Sequence, residues 1–227
     1  MPALLHLDSS ANHCSESVTR ELTASFARAW RSRHVSAGYQ HRDLAADPVP
    51  PINAAYCQLG RRVERHGLVA LDKVAALAES PAEERQWALA LPLITEVRAA
   101  DIILIGAPMY NLSVAASLKA WIDRVTFPGA FTDLDSGDSL LSRTRVVVIA
   151  ARGGAYGAGQ PGQGLDFQLP YLRAYFRKQG VAESGLHTVS SDLTLAGLVP
   201  RMIGRQPQAE RSYTEASQGV TRLAAIL

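Results

Sequence analysis

Apolar residues along the chain fall into two periods, and their alternation sets the expected architecture. Ala3–Leu7 is a short, uniformly apolar run, as in a strand buried on both faces. A polar stretch, "DSSANHCSES", separates it from Val18, Leu22, Phe26 and Trp30, which recur every four residues and form one stripe on a helix. Residues 35–44 read as a second strand leading into the Pro-rich "AADPVPPI", and residues 54–79 as helical with a weaker pattern. Ser80, Pro81 and Glu83 supply an N-cap, a first-turn proline and a glutamate three residues past the cap. Pro92 is expected to kink or split the helix that they open. Ile102–Ala107 is a second buried strand run, and Ser113–Val125 a helix with Leu118, Ile122 and Val125 on one face and Ser113 as its N-cap. Then come a strand at 145–151, a Gly-rich loop at 152–164, a helix at 170–180 stopped by glycine, a strand within 181–190 and a helix at 207–226. Strands alternate with helices, with no repeat and no linker. The expectation is one α/β domain over residues 1–227: a doubly wound, five-stranded parallel sheet with helices on both faces.

Composition narrows the function. Lys plus Arg is 23 against 21 for Asp plus Glu, a net charge of +2 with no basic tail or block. This argues against nucleic acid as the main partner. Two cysteines, Cys14 and Cys57, cannot make a disulfide framework, and Cys14 reads as a loop thiol beside a helix start. The N-terminus lacks a basic n-region, and no apolar stretch approaches the ~20 residues of a membrane span. A cytoplasmic protein without a membrane partner is expected. No pair of His or Cys has metal-ligand spacing, so no metal site is expected; His6 reads as a core or edge residue and His13 as one of the surface histidines.

In a doubly wound sheet, ligands bind beyond the carboxyl ends of the strands. Three loops there carry unusual chemistry. Ser9–Ser17 holds four serines and ends at a helix start. Free backbone N–H groups and the helix dipole favour an anion there; a plain Ser-rich cap is the alternative. The loop is neither G-x-G-x-x-G nor a Walker A loop, so a single phosphate monoester fits better than a dinucleotide or nucleoside triphosphate. "APMYNLS" at 107–113 is a rigid turn bearing a thioether, a phenol and an amide, or else a simple strand-to-helix turn. Arg152-Gly153-Gly154 lets backbone approach a ligand closely, or makes an ordinary turn.

Taken together, "SS" at 9–10, "SES" at 15–17, "APMYN-x-S" followed by "SLKAWIDRV", "ARGG" at 151–154 and "PYLRAYFRKQGV" at 170–181 resemble the FMN-dependent NADH:azoreductase family. These are flavodoxin-like relatives of the NAD(P)H:quinone oxidoreductases. The resemblance implies FMN as cofactor, its phosphate on Ser10, Ser15, Glu16 and Ser17. It implies the isoalloxazine ring against Pro108, Met109, Tyr110, Asn111 and Leu112, with Ala151, Arg152, Gly153 and Gly154 at another edge. It further implies NADH or NADPH as electron donor, a quinone, azo compound or similar small aromatic acceptor, ping-pong kinetics and a homodimer with two flavin sites at its interface. Leu112 stands where many relatives carry Phe, Ala151 replaces a common Ser, Tyr156 stands near where some have His, and region 191–206 is longer than in compact members.

No essential acid or base is visible; Tyr156 is a candidate proton donor or a packing residue. Lys119 and Asp123 are placed to pair along a helix. Rival readings are a tailoring reductase of an aromatic biosynthetic intermediate, a flavodoxin-type electron carrier and a phosphodiesterase. The carrier reading suffers from the chain's length and charge, and the phosphodiesterase from the lack of metal ligands or an activated nucleophile. Trp121 and Phe127 look like surplus apolar surface for a dimer interface. Segment 190–207, with Leu193, Leu195, Leu198, Val199, Met202 and Ile203 broken by Gly197, Pro200, Gly204 and Pro207, is expected to wall or cover the site, or to pack into the core.

Overall fold

The computed structural model describes residues 1–157 and 159–227, apart from the side chain of Cys14, so the thiol reading lies outside the described residues. Five strands, β1 (Ala3–Asp8), β2 (Gly38–Asp43), β3 (Ile102–Pro108), β4 (Arg145–Ala151) and β5 (Leu186–Ser191), form one sheet in the order β2-β1-β3-β4-β5. Every pairing is parallel. Among the described residues seven α-helices accompany it: α1 (Val18–Arg33), α2 (Ala54–His66), α3 (Leu71–Val74), α4 (Pro81–Ala99), α5 (Ala116–Val125), α6 (Leu169–Lys178) and α7 (Gln206–Ile226).

The apolar runs explain the layers. Ile102 and Leu104 of β3 join Leu22, Phe26 and Trp30 of α1 and Val220 of α7 in one core. Ile103 and Ile105 join Leu59 of α2, Ile94 of α4, Trp121 of α5 and Phe176 of α6 in the other. Successive side chains of one strand thus feed opposite cores, which is why β3 shows no polar alternation. Each such buried side chain contributes roughly 1.5–3 kcal/mol over its exposed state.

Three sequence expectations need correction. α4 runs unbroken from Pro81 to Ala99, so Pro92 does not split it. Pro92 is exposed, as is Ala88, whose carbonyl loses its partner, and water can satisfy that group. The helical stretch 54–79 breaks at Gly67, whose φ of +83° ends α2. Trp121 and Phe127 are buried within the chain, so they offer no surplus surface to a partner.

Between β1 and β3 the strand order reverses direction, because the chain proceeds from β1 outward to β2 and then back across β1 to β3. A ligand crevice is expected at that switch.

Candidate functional site

A cleft of about 260 Å³ opens at this switch point. One wall is the loop after β1. Ser9 is locked to β3, its Oγ donating to the Gly106 carbonyl at 2.7 Å and its N–H to the same oxygen at 3.2 Å. Arg20 of α1 reaches back: its Nη2 donates to the Ser10 carbonyl at 2.6 Å and to Asp43 at 2.8 Å, and its Nη1 to Asp43 at 2.7 Å. Arg20 therefore shapes the loop from behind rather than facing into the cleft. Ser17 caps α1, its Oγ accepting from the Arg20 N–H. The amides of Val18 and Thr19 lie in the first turn, where a helix has no internal acceptors, and both residues line the cleft. That end of α1 suits an anion. Of the four residues expected around a phosphate, Ser10, Glu16 and Ser17 line the cleft; Ser15 is exposed and is not among its walls.

The second wall is the end of β3. Met109 donates its N–H to Ala151 at 2.9 Å, extending the ladder to β4. Tyr110 and Ser113 exchange backbone hydrogen bonds of 3.0 Å in both directions. Between them Asn111 and Leu112 both have positive φ, 48° and 70°, so this is a tight left-handed turn of hairpin type. Asparagine tolerates that conformation; leucine is strained by it. The closed turn uses Ser113, so α5 starts at Ala116 with no side-chain cap, not at Ser113 as expected. The Tyr110 hydroxyl accepts from the Ala11 N–H at 3.1 Å, tying this turn to the β1 loop. Pro108, Met109 and Tyr110 line the cleft, whereas Asn111 and Leu112 form the turn behind them. Gln168, fully buried, donates Nε2 to the Ala107 carbonyl at 3.0 Å and fixes the strand end.

The third wall follows β4. Ala151 and Gly153 line it, together with Thr194, Leu195 and Leu198. A Cβ on Gly153 would come within 2.6 Å of Leu195 Cδ1, so a side chain there would push Leu195 aside. The segment after β5 is stitched to this loop: Leu193 N–H donates to the Gly154 carbonyl at 3.0 Å and Thr194 N–H to the Arg152 carbonyl at 3.1 Å. Arg152 does not line the cleft. Its Nε pairs with Asp192 at 2.5 Å and its Nη1 with Asp166 at 2.7 Å. Asp192 also accepts from the Tyr156 N–H at 3.0 Å, and the guanidinium lies 5.7 Å from the centre of the Tyr156 ring. That ring rests on Gly154. Arg152, Gly154 and Tyr156 thus make a buttress behind the wall, clamping three loops together.

Sequence reading missed Asn12, Val18, Thr19 and Thr194 as wall residues, and Asp166 and Asp192 as the partners of Arg152. Leu195 and Leu198 were legible, because an apolar segment following a strand at this edge has to cover something.

The cleft joins an anion-suited helix start at one end to an apolar shelf of Met109, Ala151, Leu195 and Leu198 at the other. A flat ring carrying a terminal phosphate matches both halves.

The chain matches the flavodoxin-like fold family over residues 2–194. It is 41% identical to an FMN-dependent NADH:quinone oxidoreductase of Nocardia farcinica, over 98% of both chains. It is 36% identical to a protein of the same name from Kineococcus radiotolerans, over the full length of both. In fold it resembles an FMN-dependent NADH-azoreductase from Bacillus anthracis solved in complex with FMN, with a TM-score of 0.75, 17% identity, and 99% and 100% of the two chains covered.

Proposed function

Because the chain belongs to the flavodoxin-like fold family, and within it to the FMN-dependent NADH:quinone oxidoreductases, we propose that its cleft binds FMN and serves electron transfer from NADH to a quinone or azo acceptor. The carrying observation is the joining of the α1 N-terminus to the apolar shelf in one cleft. Ser10, Ser17 and the amides of Val18 and Thr19 would hold the phosphate. Glu16 can share this end if its carboxylate stays turned to solvent, and Ser15 would contribute from the rim. Pro108, Met109 and Tyr110 would carry one face of the ring, supported by the Asn111–Leu112 turn. Ala151, Gly153 and Gly154 would border another edge, with Arg152 holding that loop. FMN, when bound, supplies the two-electron chemistry; the protein binds and orients it.

Within this reading Leu195 and Leu198, the part of the shelf supplied by the segment after β5, bound the space beside the ring and so help choose the acceptor. Tyr156 acts by position, through its contact with Gly154 and Arg152, rather than as a proton donor. Steady-state kinetics with NADH and a quinone are expected to give parallel double-reciprocal lines, the mark of one shared site used in turn. Leu195→Ala with Leu198→Ala is expected to change kcat/KM unequally for small and large quinones. Intersecting lines would count against the shared site; equal losses that follow a lower Tm would make the two leucines merely structural.

The same reading carries a cytoplasmic location, where NADH is available, and a homodimer. With Trp121 and Phe127 buried, support for the dimer moves to two exposed apolar side chains, Leu198 of the cleft wall at 77% and Phe167 beside the Asn111–Leu112 turn at 56%. Phe167 donates its N–H to the Leu112 carbonyl at 3.1 Å, so it sits beside the turn. Exposed apolar groups around a ligand site suit coverage by a second subunit. Sedimentation is expected to give twice the 24.4 kDa chain mass; a monomer at micromolar concentration refutes this.

A further inference from the structure

We propose a divalent transition-metal site at His6, Asp8 and His41, on the edge of the sheet beneath the β1 loop. His6 and His41 lie far apart in sequence, with no metal-ligand spacing, which is why the sequence did not suggest the site. The parallel register sets them side by side, His6 opposite His41, and Asp8 lies two residues along β1 on the same face. Asp8 Oδ2 is 3.0 Å from His41 Nε2 and 3.4 Å from His6 Nε2, and the three ligand atoms all lie within 4.8 Å of one another. Ligands bound tetrahedrally at Zn–N and Zn–O distances of about 2.0–2.2 Å sit roughly 3.3–3.6 Å apart. The cluster needs little adjustment to meet that spacing.

Two features go beyond a hydrogen-bonded cluster. His6 is 3% exposed, and its Nε2 has no hydrogen-bond partner among the described residues. A buried ring nitrogen left bare is disfavoured, and this one lies beside the carboxylate. The other ring nitrogen, Nδ1, is 3.0 Å from the Tyr39 hydroxyl. That leaves Nε2 as the free coordinating atom in an oriented ring, the arrangement that supports metal-ligating histidines. Asp8 Oδ1 is likewise held, by the Thr23 hydroxyl at 2.9 Å, while Oδ2, 3.0 Å from His41 Nε2, would exchange that hydrogen bond for the ion.

His41 is 40% exposed at its side chain, so the ion can enter from solvent and keep water as a fourth ligand. Two imidazoles and one carboxylate suit zinc or another borderline cation better than magnesium or calcium. The opposing charge is Arg20, whose Nη1 lies 3.9 Å from Asp8 Oδ2 but is engaged by Asp43 at 2.7 Å. A bound ion would clip the exposed edge strand β2 to β1.

Titration of Zn2+ into tag-free, flavin-loaded protein, followed by calorimetry and by Tm, tests this. One saturable site per chain with a rise in Tm is expected. His41→Ala, at a half-exposed position that leaves the core intact, is expected to weaken binding at least tenfold and abolish the rise in Tm. His66→Ala, on the exposed end of α2, is expected to change neither. Binding that survives in His41→Ala, or the lack of any saturable site, overturns the proposal.

Discussion

Ser17→Asp is expected to purify folded and without flavin. Aspartate caps a helix as well as serine does, so α1 should start unchanged. A second negative charge, however, would then occupy the end of the cleft that the proposal gives to phosphate. Like charges brought together across an interface cost several kcal/mol; at about 3 kcal/mol, FMN affinity falls on the order of 10²-fold. Titration of FMN into the variant, followed by quenching of flavin fluorescence, measures this. Unchanged affinity would place the phosphate elsewhere.

Arg152→Ala is expected to be the most destabilising change around the site. The Arg152 side chain is 7% exposed and its partners Asp166 and Asp192 are 16% and 15% exposed. Its removal leaves two carboxylates facing each other with no cation between them. Removing one partner of a buried ion pair costs about 3–5 kcal/mol, and the partial exposure of the aspartates favours the lower end. For a chain of this size about 3 kcal/mol corresponds to a fall in Tm of roughly 6–12 °C. Arg152→Lys is expected to recover only part, because an ammonium cannot reproduce the two-sided fork. Adding Asp166→Asn and Asp192→Asn to the alanine variant is expected to recover some of the loss by removing the stranded charge. Thermal denaturation of the four proteins checks the order, and an alanine variant within about 2 °C of the parent would reject the clamp.

The outline of the fold was legible because β3 and β4 are buried on both faces and α1 carries a regular stripe. These signals are local and strong. β2 was harder: Gly38–Asp43 is largely exposed, so its sequence holds no apolar run, and the expected strand at 35–44 contained it but overran both ends. Helix ends failed where loop geometry decided them. Nothing in "MYNLS" announces that Leu112 adopts a left-handed conformation, yet this closes the turn on Ser113 and delays α5 to Ala116. The candidate site was half legible for the same reason. Ser10, Ser17 and the Pro108–Tyr110 run sit next to strand ends and helix starts, where chemistry and position coincide. Asp166 and Asp192 reach Arg152 across 14 and 40 residues, and His6 meets His41 through strand register. Such pairings have no period or spacing in the sequence; only the folded sheet creates them.

The most direct test of the account is the state of the bound cofactor under a single turnover. Purified protein reconstituted with FMN is expected to hold about one flavin per chain, released by heat as FMN rather than FAD, since the cleft offers one helix start for one phosphate. Without oxygen, NADH is expected to bleach its visible absorption, and an added quinone to restore it. A protein that binds no FMN, releases FAD, or keeps its colour in the presence of NADH would contradict the account.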